Sequence, residues 1–303
     1  MKIYHNSFFA GVVVLCGFHT NGLAQSIQES EAVVEDSTVV ISVTRSGDHE
    51  GRTVVLVPGL ASSADVWIET VDTLQEYDLR IVQVAGFAGA TKFETDGDYT
   101  DSVAEAINNH LVVVPGVSPV VVGHSLGGFV ALKAALIDGT PIEELVIVDS
   151  LPFLAEAFMP GATPDQAAQS APRFAQQMAS MPREDFDRQQ VAGLSRLVKD
   201  KEYQETLAQW ATASDQSTVA TAIGELLAAD LRDDIAEVKA DVLVLAAHDK
   251  VMGISTEQIR EMYSSQYASV PNHQIVVVEE SLHFIMVDQT DLFLESLRKV
   301  LVD

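Results

Sequence analysis

The chain has 303 residues with 44 acidic and 18 basic side chains, and its formal net charge at pH 7 is −26. This length suits one α/β domain with an insertion and is sufficient to bury a large core. Such an acidic surface repels phosphate groups and anionic lipid heads, which argues against nucleic-acid binding and against electrostatic docking to a membrane. The single cysteine, Cys16, excludes an intrachain disulfide.

The first 24 residues, MKIYHNSFFAGVVVLCGFHTNGLA, have the pattern of a secretory signal peptide. Lys2 precedes an apolar stretch at residues 8–18, and Ala24 is the small residue at the predicted cleavage site. The stretch is too short for a membrane anchor, because crossing a bilayer takes about 20 apolar residues. We therefore expect export to the periplasm or the medium, and a mature chain of residues 25–303 with no transmembrane segment.

Apolar runs bounded by turn residues recur along the mature chain, and amphipathic helical patterns such as those at 66–77 and 99–113 separate most of them. The runs lie at residues 39–43, 53–57, 80–84, 120–122, 145–148, 242–245 and 274–278. Strands that alternate with helices are typical of a mostly parallel sheet covered by helices on both faces. The sequence therefore predicts an α/β fold with such a central sheet.

The loop after the run at 53–57 reads VPGL, and it has a candidate chemical role. Gly59 permits a close turn, so the loop can present the backbone N–H of Leu60 at the carboxyl end of the strand. Such an N–H is a candidate donor to an oxyanion. Pro58 and Gly59 are also compatible with an ordinary turn.

The segment SPVVVGHSLGGFVALKAAL joins a short valine strand to an alanine-rich helix through a very tight turn. Gly123 and Gly127 remove the Cβ atoms that would clash there, which leaves Ser125 exposed at the apex in a strained conformation. This is the G-x-S-x-G pattern of a nucleophile elbow, and it predicts that Ser125 is a nucleophile. The N–H of Leu126, directly after it, is the second candidate oxyanion donor. His124 is predicted to support the pocket, and a glycine-rich turn with a serine N-cap is the structural alternative.

The alternation of strands and helices is broken at about residues 151–236. This interval has helix-like segments with several prolines and no strand pattern, and it is too long for a loop. We expect a helical cap inserted between two strands. The large apolar residues of this interval either line an acyl pocket or pack the cap onto the domain; they are Phe153, Phe158, Met159, Phe174, Met178 and Met181.

A serine nucleophile needs a histidine base, and the base needs an acid that fixes its tautomer. His283 follows the last strand just before the terminal helix, so it is the predicted base. Two acids end strands at the correct edge of the sheet, Asp149 and Asp249, and both give the chain order Ser, Asp, His. We favour Asp249, because its strand comes later and should lie nearer the loop of His283. Asp149 is then expected at the cap hinge or the pocket rim.

With VPGL, GHSLGG, the Asp249 loop and SLHF in this order, the chain resembles the α/β-hydrolase superfamily, specifically its capped esterase-like members. The resemblance spans about residues 39–301. It implies the α/β-hydrolase fold with a helical cap between strands, and Ser125, Asp249 and His283 as nucleophile, acid and base. It also implies oxyanion donors at Leu60 and Leu126.

Two features depart from the family pattern. Pro58 stands where many relatives have histidine, which matters little because the donor is backbone. The acid loop AAHDK is about one residue shorter than the usual glycine-containing loop.

A serine at the elbow predicts acyl transfer to water, and the resemblance favours a carboxylic-ester hydrolase that acts on a small-molecule ester without cofactor or metal. Alternatives on the same scaffold are a peptidase, a cofactor-free peroxidase, an acyltransferase and an inactive binding protein. A peptidase would use cap carboxylates to bind a charged amino terminus; the candidates are Glu156, Asp165, Glu184 and Asp185.

Overall fold

A computed structural model describes residues 40–95, 97–111 and 118–302. The predicted signal peptide lies outside the described residues. Within these ranges, no helix combines the length and apolar character needed to cross a bilayer.

A seven-stranded sheet forms the centre of the protein, with the spatial order β1-β3-β2-β4-β5-β6-β7. The strands are β1 Ile41–Gly47, β2 Thr53–Val57, β3 Asp78–Val84, β4 Val120–His124, β5 Glu144–Val148, β6 Asp241–His248 and β7 His273–Glu279. Only β1 runs antiparallel to its neighbour β3; the other pairs are parallel. The predicted mostly parallel sheet is therefore confirmed, and each strand overlaps one of the apolar runs.

Helices cover both faces of this sheet. They are α1 Ile68–Thr73, α2 Tyr99–Asn109, α3 Leu126–Ala135, α4 Ala155–Phe158, α5 Pro164–Ser180, α6 Arg183–Ala192, α7 Lys201–Ala213, α8 Gln216–Ala228, α9 Thr256–Gln266, α10 Ile285–Asp288 and α11 Thr290–Val302. The helical pattern at 66–77 is a 3₁₀ turn, Ala64–Trp67, followed by the short α1.

The central strands are buried on both faces, which is why they are almost purely β-branched and aliphatic. Along β2, Val55 and Val57 belong to one apolar cluster, whereas Val54 and Leu56 belong to the cluster on the opposite face. Because side chains alternate along a strand, one short run supplies both halves of the core.

The helices α4 to α8 lie between β5 and β6 in the chain, which is the predicted helical insertion. Helix α8 ties it to the main domain: the Glu225 carboxylate accepts hydrogen bonds from the N–H groups of Tyr99 (2.8 Å) and Thr100 (2.7 Å), at the start of α2. A carboxylate at a helix N-terminus satisfies free N–H groups and complements the helix dipole. Within the insertion α5 packs on α8, where a Cβ atom on Gly224 would lie only 2.7 Å from the Ala175 Cβ.

Candidate active site

Ser125 occupies the tight turn between β4 and α3, with φ 54° and ψ −119°. These angles are rare for a residue with a side chain and store backbone strain. The neighbouring glycines make the turn possible. A Cβ on Gly123 would lie 2.3 Å from the Gly127 oxygen, and a Cβ on Gly127 would lie 2.3 Å from the Val57 oxygen. The Ser125 N–H donates to the carbonyl of Val148 at 2.9 Å, which anchors the turn to the adjacent strand.

The loop after β2 lies directly against this turn. A Cβ on Gly59 would be 2.9 Å from His124 Nδ1 and 3.2 Å from the Ser125 Cβ, so a side chain here would push the two segments apart. Leu126 is the first residue of α3, and its N–H therefore has no intrahelical acceptor. For the Leu60 N–H, the described part of the chain offers no hydrogen-bond acceptor. Both N–H groups are thus available beside Ser125.

His283 is paired with Asp149. Its Nδ1 lies 2.6 Å from Asp149 Oδ2, while Asp149 Oδ1 accepts from the Ala247 N–H at 2.8 Å and from the Tyr263 hydroxyl at 2.7 Å. Burial raises the pKa of Asp149, but the hydrogen bonds from these three donors and the charge of His283 outweigh it, and the net pKa lies below the ordinary value. The acid is therefore a stable carboxylate that faces the imidazole.

Asp249, which we favoured as the partner of His283, is engaged elsewhere, and that choice is wrong. Its carboxylate accepts from Lys199 Nζ at 2.9 Å and from the Val251 N–H at 3.0 Å, as the N-cap of a 3₁₀ turn. The reason is the length of β6. It pairs with β5 only up to Leu245 and continues to His248, so Asp249 lies beyond the sheet edge where Asp149 directly follows β5.

A usable sequence signal for Asp149 was the adjacency of its strand to the nucleophile strand. Val148 pairs with His124 in the parallel register of β4 and β5, so the next residue on each strand, Ser125 and Asp149, lies at the same edge. Asp149 itself has φ 48°, a second strained residue at this edge.

His124 lies behind the pair. Its Nε2 is 3.0 Å from the carbonyl oxygen of His283, and the two ring centroids are 4.5 Å apart. Burial, followed by the charge of His283, holds the pKa of His124 well below its usual range, so the ring is neutral and its Nε2–H is the donor. This contact fixes the backbone that carries His283.

A cavity of about 230 Å³ opens above Ser125. The main domain contributes Leu60, Ala61, Ser62, His124, Ser125, His283 and Phe284, and the insertion contributes Gln190, Leu194, Leu197, Leu207 and Ala211. Apart from the amide of Gln190, the cap side is apolar. Among the described residues, no cluster of His, Cys, Asp and Glu is arranged to hold a metal ion.

The six cap residues predicted as candidates for an acyl pocket do not line this cavity. Phe153, Met178 and Met181 pack in apolar clusters, whereas Phe158, Met159 and Phe174 are exposed. The cavity wall comes instead from α7 and the turn before it. In α7, Leu207 and Ala211 are spaced by four residues, so they share one helical face; this was the available signal.

Comparisons with known proteins agree with the fold. Residues 54–296 match the model of the family described as "Alpha/beta hydrolase family". A pimeloyl-[acyl-carrier protein] methyl ester esterase from Aliivibrio fischeri is 25% identical over 259 residues, which cover 84% of this chain and 95% of the relative.

Solved structures share the fold. A hydrolase from Oleispira antarctica superposes with a TM-score of 0.69 at 16% identity, covering 89% of this chain and 97% of that one. A thermophilic esterase from Thermogutta terrifontis superposes with a TM-score of 0.66 at 19% identity, covering 86% of this chain and 92% of that one.

Proposed function

Because the chain belongs to the α/β-hydrolase family, we propose that it is a serine hydrolase that cleaves small carboxylic esters through an acyl-enzyme intermediate. The observation that carries this proposal is the site itself. Ser125 and His283 line one cavity, and the imidazole of His283 is held from behind by the buried carboxylate of Asp149.

The roles follow from the hydrogen bonds. Because Nδ1–H of His283 donates to Asp149, Nε2 is left unprotonated and accepts the Ser125 proton as Oγ attacks the ester carbonyl. The N–H groups of Leu60 and Leu126 stabilise the negative charge that develops on the carbonyl oxygen. His283 then returns the proton to the leaving alcohol, and a water molecule repeats the sequence on the acyl-enzyme.

The cavity favours a small substrate with a neutral acyl group. Its volume of about 230 Å³ is below the roughly 300–1,000 Å³ typical of pockets for drug-sized ligands. Among the described residues, no Lys or Arg lines it, so a carboxylate in the acyl chain would be desolvated without a cationic partner there. A methyl ester esterase among the relatives supports a small alcohol group.

The peptidase alternative lacks its recognition element. Of the cap carboxylates considered for it, Glu156 pairs with Arg232, and Glu184 and Asp185 pair with Arg188. Asp165 lies in the first turn of α5, and none of the four lines the cavity. The described residues that line the cavity therefore include no carboxylate for the charged amino terminus of a peptide.

We further propose that the protein is exported and matures by cleavage after Ala24. The support is the sequence pattern of residues 1–24. Expression of the full chain in a bacterial host, followed by amino-terminal sequencing of the periplasmic and extracellular fractions, tests this. A product that starts at Met1 and stays in the cytoplasm would contradict it.

The test of the activity is hydrolysis of p-nitrophenyl esters from acetate to octanoate, with Ser125→Ala as the matched variant. We expect turnover by the wild-type protein, a loss of about 10³-fold or more in the variant, and covalent labelling of Ser125 by a fluorophosphonate, located by mass spectrometry. Peracid formation and acyl transfer to added alcohols are measured on the same preparation. Absence of both ester turnover and Ser125 labelling would leave only the inactive binding protein.

A further inference from the structure

The hydrogen bonds around Asp149 include one donor that none of the roles above uses. The hydroxyl of Tyr263, on α9, donates to Asp149 Oδ1 at 2.7 Å. Oδ1 also accepts from the Ala247 N–H on β6 at 2.8 Å, while Oδ2 accepts from His283. Each of the three donors comes from a different part of the fold.

Tyr263 is only 4% exposed, so its hydroxyl needs a partner for burial alone. A neighbouring tyrosine shows that a backbone carbonyl can meet this need. Tyr267, one turn later, is fully buried, and its hydroxyl donates to the carbonyl of Ser150 at 2.8 Å. Burial raises the pKa of Tyr263 well above its usual value, so the group remains a neutral donor throughout the working pH range.

We propose that Tyr263 is a positioning residue of the triad, whose hydroxyl fixes the carboxylate of Asp149 so that Oδ2 faces His283. This inference rests on the proposed function. Two donors on Oδ1, one from a strand and one from a helix, prevent the carboxylate from rotating. The base is then oriented before substrate arrives, which is the usual advantage of a preorganised site.

The Tyr263 hydroxyl also affects the negative charge on the Asp149 carboxylate, to which His283 is hydrogen-bonded. A hydrogen bond to a carboxylate disperses its negative charge, so removing the bond leaves a stronger partner for the protonated imidazole. The titratable groups that face Asp149 are His283 in the final loop, His124 on β4, and Tyr263 and Tyr267 at the end of α9. His124 is neutral, and His283 is the histidine that is hydrogen-bonded to the carboxylate.

The test is Tyr263→Phe, with Tyr267→Phe as the matched control. Both changes remove one buried hydroxyl from the same helix end, but only the first removes a donor to Asp149. We expect Tyr263→Phe to lower kcat about tenfold with KM nearly unchanged, and to move the acid limb of the kcat/KM profile to higher pH. Tyr267→Phe should keep the wild-type kcat and profile. Equal changes in both variants, or an unmoved profile in Tyr263→Phe, would overturn the proposal.

A spectroscopic measurement separates this inference from the proposed function. The Nδ1 proton of His283 is followed by NMR in histidine-labelled protein and assigned by its absence in His283→Gln. We expect its resonance to move in Tyr263→Phe and to stay in place in Tyr267→Phe, even if no ester tested is hydrolysed. A resonance that is the same in all three proteins would exclude Tyr263 from positioning the pair.

Discussion

Backbone strain at single residues is concentrated around the candidate site. Of the five residues other than glycine with positive φ in the described chain, Ser125 (54°), Asp149 (48°) and Glu280 (58°) follow the ends of β4, β5 and β7, and Ala61 (54°) lines the cavity. The fifth, Ala88 (48°), lies in the loop after β3. Such conformations cost about 1–3 kcal/mol each and persist only where the surrounding structure enforces them. Here the tight turns hold Ser125 and Asp149, the candidate nucleophile and acid, at one edge of the sheet.

Replacing each candidate acid in turn tests which aspartate serves His283. In Asp149→Asn the amide oxygen is held by the Ala247 N–H and the Tyr263 hydroxyl, so the NH₂ group faces His283 and donates to Nδ1. The imidazole then carries its proton on Nε2, which is the wrong tautomer for a base, and kcat should fall by about 10³–10⁴. In Asp249→Asn the ion pair with Lys199 is weakened, but the amide oxygen can still accept from the Val251 N–H, so kcat should fall less than about fivefold. Steady-state kinetics on p-nitrophenyl acetate give both values.

Circular dichroism of both variants controls for folding. A larger loss in Asp249→Asn than in Asp149→Asn, with both proteins folded, would return the acid role to the loop after β6.

At the scale of elements, the insertion is tied to the loop that carries His283. The Phe284 N–H donates to the Leu197 carbonyl at 3.0 Å, and Lys199 Nζ donates to the Glu280 carbonyl and to Asp249, both at 2.9 Å. Leu197 also lines the cavity. One short segment of the cap thus lines the cavity and is also hydrogen-bonded to the loop that carries His283. Movement of the cap would therefore shift this loop and His283.

The apolar cap wall should set the preferred acyl chain length. Leu207 is 4% exposed and lines the cavity from α7. Leu207→Ala removes about three carbon atoms of wall, so the maximum of kcat/KM across p-nitrophenyl esters should move to longer acyl chains, at a cost of about 2–5 kcal/mol in stability.

Phe158→Ala is the control, because this side chain is 70% exposed and does not line the cavity. Its chain-length profile should match the wild type. A folded Leu207→Ala protein with an unchanged profile would show that the acyl group binds elsewhere.

At the scale of the whole molecule, the architecture could be read from the sequence because it depends on local patterns. Runs such as TVVLV have the composition of strands buried on both faces, and the glycines around Ser125 mark a turn that only they permit. The mostly parallel sheet and the helical insertion followed from the alternation of these patterns, whereas the spatial order of the strands did not.

The acid and the cavity wall depend on distances that local patterns do not contain. The adjacency of its strand to the nucleophile strand favours Asp149, but excluding Asp249 required knowing that β6 extends three residues past its pairing with β5. Identifying the residues of the cavity wall required knowing how α7 packs beside Ser125. Phe158 was a reasonable candidate by hydrophobicity alone, yet tertiary packing leaves it in solvent.

A buried carboxylate at the opposite edge of the sheet should make the stability of the whole domain sensitive to acid. Asp78, 2% exposed at the start of β3, accepts from Arg45 on β1 at 2.5 Å, from Thr53 on β2 at 3.3 Å and from Arg80 at 3.1 Å. Burial raises the pKa of Asp78, but the hydrogen bonds and charges of the two arginines outweigh it, so the net pKa lies below the ordinary value of 3.8.

Since the folded-state pKa is lower than the unfolded-state value, this contribution to stability is fully present above about pH 4 and is lost as the pH falls through the folded-state pKa. Asp78→Asn should therefore lower the free energy of unfolding by about 1.5–3 kcal/mol at pH 7, and the difference from wild type should narrow below about pH 4. Urea unfolding at a series of pH values measures the difference in the free energy of unfolding between the variant and the wild type.

Asp72→Asn is the control, because this residue is at an exposed position on α1. Its free energy of unfolding should differ from that of the wild type by nearly zero at every pH. A difference for Asp78→Asn that stays constant down to about pH 2.5 would mean that the arginines do not stabilise the ionised form, and that Asp78 contributes through packing alone.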